Sequence, residues 1–171
     1  AMESVSHITL LDVDPGADTN RTVVTIVGDP DSVIEAAFSG IKKASEIIDM
    51  RKHSGAHARM GATDVCPFVP ISGIAMDDCV EYSKILAERV GKELKIPIFL
   101  YEYSASTSER ENLADIRSGE FEGMADKLKT SKWKPDYGPS KPHNTAGVTA
   151  IGARNFLIAY NINLNTKDKK I

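Results

Sequence analysis

Hydrophobic and polar positions alternate along the chain in short blocks that have two different periods. Apolar residues at helical spacing predict helices over Asp29–Met50 and Met76–Leu94, and one or two shorter helices within Ser108–Leu128. Alternating or continuous apolar runs, rich in β-branched residues, predict five strands, at His7–Val13, Arg21–Gly28, Asp64–Ile71, Ile96–Tyr103 and Arg154–Leu164.

The order of these elements, β-β-α-β-α-β-α-β, mixes hairpin-like neighbours with helical crossovers. It predicts an α+β fold in the ferredoxin-like neighbourhood, with a mixed β-sheet and helices packed mainly on one face. The other face of the sheet is then left for solvent, a second domain or a partner. Lys132–Arg154 is dense in Pro, Gly, Asn and Ser and is predicted to be a long loop.

Composition restricts the classes of protein to which the chain can belong. Its 171 residues suit one globular domain, and its 42% hydrophobic and 26% charged content is ordinary for that class. A net charge of −3 lacks the basic excess of a nucleic-acid binder. The apolar runs are shorter than the roughly 18 residues of a membrane span. Cys66 and Cys79 do not make a disulfide framework, and we expect two buried, reduced thiols in a cytoplasmic protein.

The stretch RKHSGAHARMG, residues 51–61, gathers titratable chemistry in a short loop. Small neighbours leave the imidazole of His57 accessible, and a histidine can exchange protons near neutrality as a general acid and base. The competing interpretation is a loop histidine that bonds a nearby carbonyl group. His53 lies four residues earlier, as in some zinc motifs, but Gly55 between the two and the absence of a glutamate argue against a metal site, and we expect none.

Two other segments carry candidate chemistry. Asp12, Asp14 and Asp18 lie at a strand end and turn, where carboxylates either orient a substrate or cap the turn. The glycine-punctuated segment Gly138–Arg154 either exposes backbone N–H groups that bind carboxylates or heterocycle edges, or forms an ordinary surface loop. It lacks the phosphate-loop motif.

Taken together, six blocks of the chain resemble glutamate formiminotransferases, and more narrowly the N-terminal subdomain of the formiminotransferase module. The match covers residues 8–165 in order. The resemblance implies transfer of a formimino group from N-formimino-L-glutamate to the co-substrate tetrahydrofolate, giving 5-formiminotetrahydrofolate and L-glutamate in histidine degradation, with no metal. The blocks are LLDVDPGADTNRTVVTIVG, IDMRKHSGAHARMGATDVCPFVPI, IFLYEYSA, RENLADIRSGEFEGM, WKPDYGP and TAGVTAIGARNFLIAYNINL.

The resemblance also implies roles for individual residues. The family's H-x-R-M-G motif places its acid/base histidine at His57, and Asp14 corresponds to an aspartate near the active site, which either orients His57 or bonds a substrate amine. The cations Arg21, Arg51, Lys52, Arg59 and Arg154 become candidates for binding substrate carboxylates. The family's folate-binding stretch falls on Gly138, Pro139, Ser140, Lys141, Pro142, His143, Asn144, Thr145, Ala146 and Gly147.

The sequence differs from the family pattern at its start and in the His57 loop, and these differences affect the domain organisation that we expect. Ala1 and Met2 are expected to be an expression remnant, residues 3–165 the subdomain without the family's first strand and helix, and residues 166–171 a polar tail. Ala56 and Ala58 stand where many members have an acid and a proline. Because a folate needs walls on both sides, we expect a homodimer or a separate C-terminal subdomain to complete the cleft. The alternative function is a non-catalytic folate-binding or interaction domain derived from this enzyme.

Overall fold

A computed structural model describes residues 1–158 and Asn165. In this part of the chain the strands are β1 (Ile8–Gly16), β2 (Arg21–Gly28), β3 (Val65–Phe68), β4 (Ile98–Glu102) and β5 (Thr149–Ala153). The helices are α1 (Pro30–Ile47), α2 (Met76–Arg89), α3 (Leu113–Arg117) and α4 (Glu120–Lys127). A π-helical turn, Val90–Leu94, extends α2, and a 3-10 turn, Met50–Lys52, follows α1.

The strands form two sheets. β1 and β2 make an antiparallel hairpin, and a shift of register between Leu10 and Asp12 leaves Leu11 as an extra residue in β1. β3, β5 and β4 form a parallel sheet in that spatial order. The α+β class is confirmed, and the ferredoxin-like arrangement stays a prediction.

Helices cover both faces of the parallel sheet. On one face, Ile98 and Leu100 of β4 join a core cluster with Phe38 and Ile41 of α1 and Leu86 of α2. The alternate residues of β4 point to the opposite face, as the strand period of two requires. There, Phe99 and Tyr101 pack with Ile116 of α3 and Met124 of α4. The two long helices therefore share one face, as predicted, and the two short helices occupy the face that the sequence analysis left open.

Local sequence explains where the long helices begin. The Asp29 carboxylate accepts a hydrogen bond from the Ser32 amide at 3.1 Å, and Pro30 occupies the first helical position, where a missing N–H costs nothing. Before α2, the Asp78 carboxylate accepts a bond from the Ala75 amide at 3.0 Å. The observed starts, Pro30 and Met76, agree with the predicted helices to within one residue.

The last predicted strand is wrong over the residues that can be described. Residues 154–158 are not in a strand, whereas the central strand β5, Thr149–Ala153, lies inside the segment predicted as a loop. β5 is buried throughout and reads TAIGA, without the alternation or bulky β-branched run that marks most strands. The rest of the predicted strand, residues 159–164, and the predicted tail, residues 166–171, lie outside the described residues.

The two cysteines are unpaired, as expected. Cys66 lies on β3, where burial raises the pKa of its thiol to about 12, and burial also raises the pKa of Cys79 on α2. The thiol form of each is therefore favoured at neutral pH. Among the residues whose structure is given, no helix has both the length and the apolar character to cross a membrane.

Candidate functional site

The tip of the β1–β2 hairpin packs against the loop formed by residues 53–59. The Ala56 amide donates to the Asp18 carbonyl at 3.1 Å. The Asn20 side-chain amide donates to the Ser54 carbonyl at 2.7 Å, and His53 Nε2 contacts the Asn20 carbonyl at 2.7 Å. Because a carbonyl oxygen only accepts, His53 donates through Nε2. The loop is therefore held to the hairpin by contacts on both sides of Gly55.

Gly55 permits this close approach. A Cβ atom at this position would lie 2.4 Å from the Thr19 carbonyl oxygen, a distance that real side chains do not tolerate. The absence of a side chain at Gly55 thus lets the two backbones meet, which is one established use of glycine.

Next to this junction, His57 makes two hydrogen bonds that define its tautomer. Its Nδ1 lies 2.7 Å from the Ala58 carbonyl oxygen, and its Nε2 lies 3.0 Å from Nη1 of Arg21. The carbonyl can only accept and the guanidinium can only donate. The proton of the neutral imidazole is therefore on Nδ1, and the Nε2 lone pair is the basic position.

The structure brings together two of the predicted site residues, His57 and Arg21, although 36 positions separate them in the sequence. Arg21 begins β2 and is exposed. The competing interpretation of His57, a loop histidine bonded to a carbonyl, describes its Nδ1 correctly, whereas its Nε2 contacts Arg21.

Asp14 lies near this pair on the hairpin. It is paired with Val23, and Gly16 with Arg21, so strand alternation places Asp14 and Arg21 on the same face of the hairpin. Within residues 1–158 its carboxylate makes no hydrogen bond or ion pair, and it is exposed. A free carboxylate on the Arg21 face is compatible with either role that the sequence analysis left open.

Arg59 is bound to two carboxylates of α4. Nη1 donates to Glu120 Oε2 at 2.6 Å, and Nη2 donates to Glu122 Oε1 at 2.7 Å. The hydrogen bond to Glu122 is the main cause that raises the pKa of Arg59, and the same bond lowers the pKa of the Glu122 carboxyl. A substrate carboxylate at Arg59 would compete with both glutamates.

Other predicted carboxylate binders have partners of their own. Arg51 donates to both carboxylate oxygens of Asp49 at 2.8 Å, and this contact lowers the pKa of Asp49 to about 2. Arg154 donates to the carbonyl of Asn155 at 2.9 Å. Lys52 is exposed next to the His57 loop. Arg21 and Lys52 are thus the predicted binders in this loop region that make no ion pair in the described part of the chain.

The end of the predicted folate segment forms a tight turn. The amide of His143 donates to the Gly147 carbonyl, and the amide of Gly147 donates back to the His143 carbonyl, both at 3.0 Å. The Ala146 amide donates to His143 Nδ1 at 3.1 Å. These three amides are satisfied within the turn and are not free donors, which at this end of the segment agrees with the second of the two alternatives, an ordinary loop.

This turn lies against both ends of the His57 loop. The Thr145 carbonyl accepts from the Met50 amide at 2.8 Å, and the Ala146 carbonyl accepts from the Ala62 amide at 2.9 Å. Gly147 has a φ of +68°, and a Cβ there would lie 2.2 Å from the Met60 carbonyl oxygen, so only glycine fits. The end of this segment therefore supports the base of the loop that carries His57.

The other end of the segment faces a separate cavity of about 330 Å³. Gly138 and Pro139 line it, and no hydrogen bond in the described part of the chain joins this end to His57. A larger cavity of about 520 Å³ contains none of the predicted site residues. The 330 Å³ cavity is lined by Glu88, Gly91, Lys92, Lys95, Tyr137, Gly138 and Pro139.

Sequence reasoning missed the acidic residues that anchor this region. Besides Glu120 and Glu122, Asp64 accepts from the Met60 amide at 2.8 Å and from Arg117 Nε at 2.7 Å. The alternating acids of GEFEG at the start of α4 were the available signal, but helix starts often carry acids for electrostatic reasons alone. Within residues 1–158, no group of three or more His, Cys, Asp or Glu side chains is arranged to hold a metal ion.

Comparison with known proteins agrees with the sequence blocks. The profile of the formiminotransferase domain, N-terminal subdomain, matches residues 1–154. The chain is 59% identical to a glutamate formimidoyltransferase of Streptococcus pyogenes serotype M1 over 96% of the chain and 55% of that protein. It is 48% identical to a glutamate formimidoyltransferase of Thermoplasma acidophilum, over all of the chain and 57% of that protein.

A longer relative shows the same pattern. The chain is 52% identical to a formimidoyltransferase-cyclodeaminase of Dictyostelium discoideum, over 99% of the chain and 32% of that protein. The chain thus spans about half the length of the two formimidoyltransferases and about a third of the bifunctional protein. With the matched profile covering most of its length, the chain belongs to the formiminotransferase family, as an N-terminal subdomain.

Proposed function

We propose that this chain carries the acid/base centre of a glutamate formimidoyltransferase. The reaction moves a formimino group from N-formimino-L-glutamate to tetrahydrofolate and gives 5-formiminotetrahydrofolate and L-glutamate, a step of histidine degradation. The names of the relatives and the family support the reaction type. The observation that carries the proposal is the orientation of His57, with its proton on Nδ1 and its Nε2 lone pair at the hairpin junction beside Arg21.

The chemistry asks for a group that moves protons between two nitrogens. The folate N5 amine attacks the amidine carbon and forms a tetrahedral intermediate, whose collapse expels the glutamate amine. Nε2 of His57 takes the proton from the attacking nitrogen and gives it to the leaving nitrogen. A positioned histidine in this role contributes typically 10²–10⁴-fold to the rate. The bond from Nδ1 to the Ala58 carbonyl keeps the basic nitrogen at Nε2.

Arg21 and Asp14 are assigned to substrate orientation. Formiminoglutamate carries two carboxylates, and a guanidinium binds a carboxylate through paired, charge-assisted hydrogen bonds. When Arg21 turns to such a carboxylate, it leaves Nε2 of His57 free for the reaction. Asp14, on the same face of the hairpin, either bonds the substrate amine or orients His57. Arg59, which the resemblance also named as a carboxylate binder, is not assigned to the substrate, because Glu120 and Glu122 already occupy its guanidinium.

The folate segment Gly138–Gly147 is assigned to the co-substrate tetrahydrofolate. Support comes from the 330 Å³ cavity at its first residues, where Lys92 and Lys95 offer positive charge for the carboxylates of a folate tail. The turn at His143–Gly147 gives the second half of the segment a supporting role for the His57 loop.

A second protein surface completes the cleft in this proposal. The relatives are about twice as long as the part they share with the chain, which supports a C-terminal subdomain as the other wall. A second copy of the chain is the other candidate. Light scattering distinguishes them, because a homodimer has twice the mass of one chain. We place the reaction in the cytoplasm, since the cysteines are free.

The experiment is an assay of the purified chain with formiminoglutamate and tetrahydrofolate, in which absorbance reports the formiminofolate. We expect turnover once the cleft is complete, either in a homodimer or with a C-terminal subdomain supplied as a separate chain, and we expect His57→Ala to lower it by roughly 10²–10⁴-fold. His7→Ala is the matched control, because His7 precedes β1 at the open end of the hairpin, away from the tip. It should leave the rate unchanged.

Two results would overturn the proposal. Equal rates in the wild type and His57→Ala would remove the histidine from the chemistry. The absence of turnover, together with folinate binding in a thermal-shift assay, would instead favour the non-catalytic folate-binding domain.

A further inference from the structure

We propose that Arg59, Glu120 and Glu122 form an ionic latch that ties the His57 loop to the first turn of α4 and positions the imidazole. Arg59 then acts through His57 as a positioning residue. This inference rests on the proposed function for the role of His57, but its test does not depend on turnover.

The latch includes main-chain and side-chain contacts. The Phe121 amide donates to the Arg59 carbonyl at 2.9 Å, so the loop backbone is bonded to the start of α4. The Arg59 side chain makes three further hydrogen bonds. Its Nη1 donates to Glu120 Oε2 at 2.6 Å and to Glu122 Oε2 at 2.9 Å, and its Nη2 donates to Glu122 Oε1 at 2.7 Å. Two parallel bonds to one carboxylate fix the orientation of a guanidinium as well as its position.

The remaining hydrogen bond of the Arg59 guanidinium joins the two ends of the His57 loop. Nη2 donates to the His53 carbonyl at 3.2 Å, which joins the beginning of the loop to its end. Between these two residues lie Gly55, which meets the hairpin, and His57. The Ala58 carbonyl that accepts from His57 Nδ1 belongs to the residue immediately before Arg59. A fixed Arg59 therefore fixes the acceptor that selects the tautomer of His57.

Burial separates this arginine from the exposed cations nearby. The Arg59 side chain is 15% exposed, whereas that of Arg51, in a similar ion pair, is 59% exposed. All four terminal N–H groups of Arg59 are engaged, and its Nε is buried and has no partner among residues 1–158. An anionic substrate would meet two carboxylates at this position before it reached the guanidinium. The geometry thus favours a structural role for Arg59 over the carboxylate-binding role predicted from sequence.

The test compares the wild-type chain with the double variant Glu120→Gln/Glu122→Gln, by nitrogen-15 NMR of the His57 ring. The two ring nitrogens have different chemical shifts in the two neutral tautomers, so the spectrum reports which nitrogen carries the proton. We expect the wild type to show the proton on Nδ1 and the double variant to show a mixture. We also expect amide exchange at Ala56 to become at least about tenfold faster in the variant, because the loop opens locally.

Asp126→Asn is the matched control. Asp126 lies on the same helix and pairs with Lys129, and both side chains are exposed, at 87% and 73%. Its loss removes an ion pair of α4 without touching Arg59, and the His57 spectrum should not change. Restoring the charge with Glu120→Asp/Glu122→Asp should bring part of the Nδ1-protonated signal back.

The outcomes are distinct. An unchanged His57 spectrum and unchanged Ala56 exchange in the double glutamine variant would overturn the latch, whatever the activity. An unchanged spectrum with a raised KM for formiminoglutamate in Arg59→Lys would also overturn it and return Arg59 to substrate binding. A shifted tautomer in a chain that has no transferase activity would keep the latch and reject the proposed function.

Discussion

The two sheets of this protein differ in how they are held. Every residue of β5 in the parallel sheet is buried, between α1 and α2 on one side and α3 and α4 on the other. The β1–β2 hairpin is mostly exposed, including the side chains of Leu11, Val13 and Val24. A two-stranded hairpin is marginal by itself, so contacts at its tip contribute much of what fixes it. The parallel sheet therefore contributes most of the stability, and the hairpin positions the side chains that meet the His57 loop.

The candidate site lies where these two regions meet. His57 comes from a loop that leads into β3 of the parallel sheet, and its partner Arg21 comes from the hairpin. In a site between a rigid and a more weakly held part of a protein, the rigid part fixes some side chains and the weakly held part can shift when a ligand binds. Substitutions that act on one region and not the other test this division.

The largest effect is expected from the same substitution made in the two regions. Leu100→Ala in β4 removes a side chain that is 5% exposed, and we expect it to lower the free energy of unfolding by about 2–5 kcal/mol. Leu11→Ala in β1 removes a side chain that is 60% exposed and should change the free energy of unfolding by less than about 0.5 kcal/mol. Urea denaturation measures both. Equal losses would mean that the hairpin is part of the core.

A second contrast concerns ion pairs rather than apolar packing. Asp64 pairs with Arg117 below the His57 loop, with side chains 12% and 14% exposed. Asp64→Ala leaves the guanidinium without its partner and should cost about 3 kcal/mol in the free energy of unfolding. Asp126→Ala removes an exposed pair and should leave the free energy of unfolding nearly unchanged. The comparison fails if the two denaturation midpoints fall by the same amount.

Gly55→Ala should separate the site from the stability of the fold. A Cβ atom 2.4 Å from the Thr19 carbonyl pushes the hairpin tip away from the loop and breaks the contact between Arg21 and His57. Transferase activity should fall about 100-fold, as for other small displacements of catalytic groups. The urea midpoint should fall little, since the parallel sheet is untouched. Gly123→Ala, where a Cβ meets open space, is the control and should keep full activity.

The smallest effect is expected from pH at the turn that precedes the loop. The bidentate contact with Arg51 lowers the pKa of Asp49 from 3.8 to about 2. Since the folded pKa is below the unfolded one, the contact stabilises the fold above about pH 4 and is lost as the pH falls towards 2. NMR titration of the Asp49 carboxyl should show this midpoint. If Asp49 titrates near 3.8, the pair with Arg51 does not form in solution.

Much of the fold was readable from local patterns. The extent of β2 was predicted from its β-branched run, and the start of α1, to within one residue, from apolar residues at helical spacing. Both signals act on near neighbours in the chain. β5 was missed because a short, small-residue strand buried on both faces has no alternation to detect. Cover of the second face of the sheet by α3 and α4 was missed because these helices are short and their period is weak.

The candidate site divides in the same way. The motif and the resemblance singled out His57 and Arg21, and the structure brings them together. The resemblance also named Arg59 as a carboxylate binder, whereas its two glutamates, 61 and 63 positions away, occupy its guanidinium. The sequence left open whether the segment 138–154 exposes its amides, and in the structure the amides of His143 and Gly147 bond to each other's carbonyls.

The sequence by itself determined the family, the candidate base and the element types other than the last strand, because strand and helix periods, caps and motifs are interactions between near neighbours. The tertiary structure decided which nitrogen of His57 is basic, which arginine contacts that nitrogen and which arginine is bound to carboxylates. Those outcomes depend on hydrogen bonds between residues 36 to 63 positions apart. Such contacts exist only after the hairpin, the loop and α4 have been brought together by the burial of the parallel sheet.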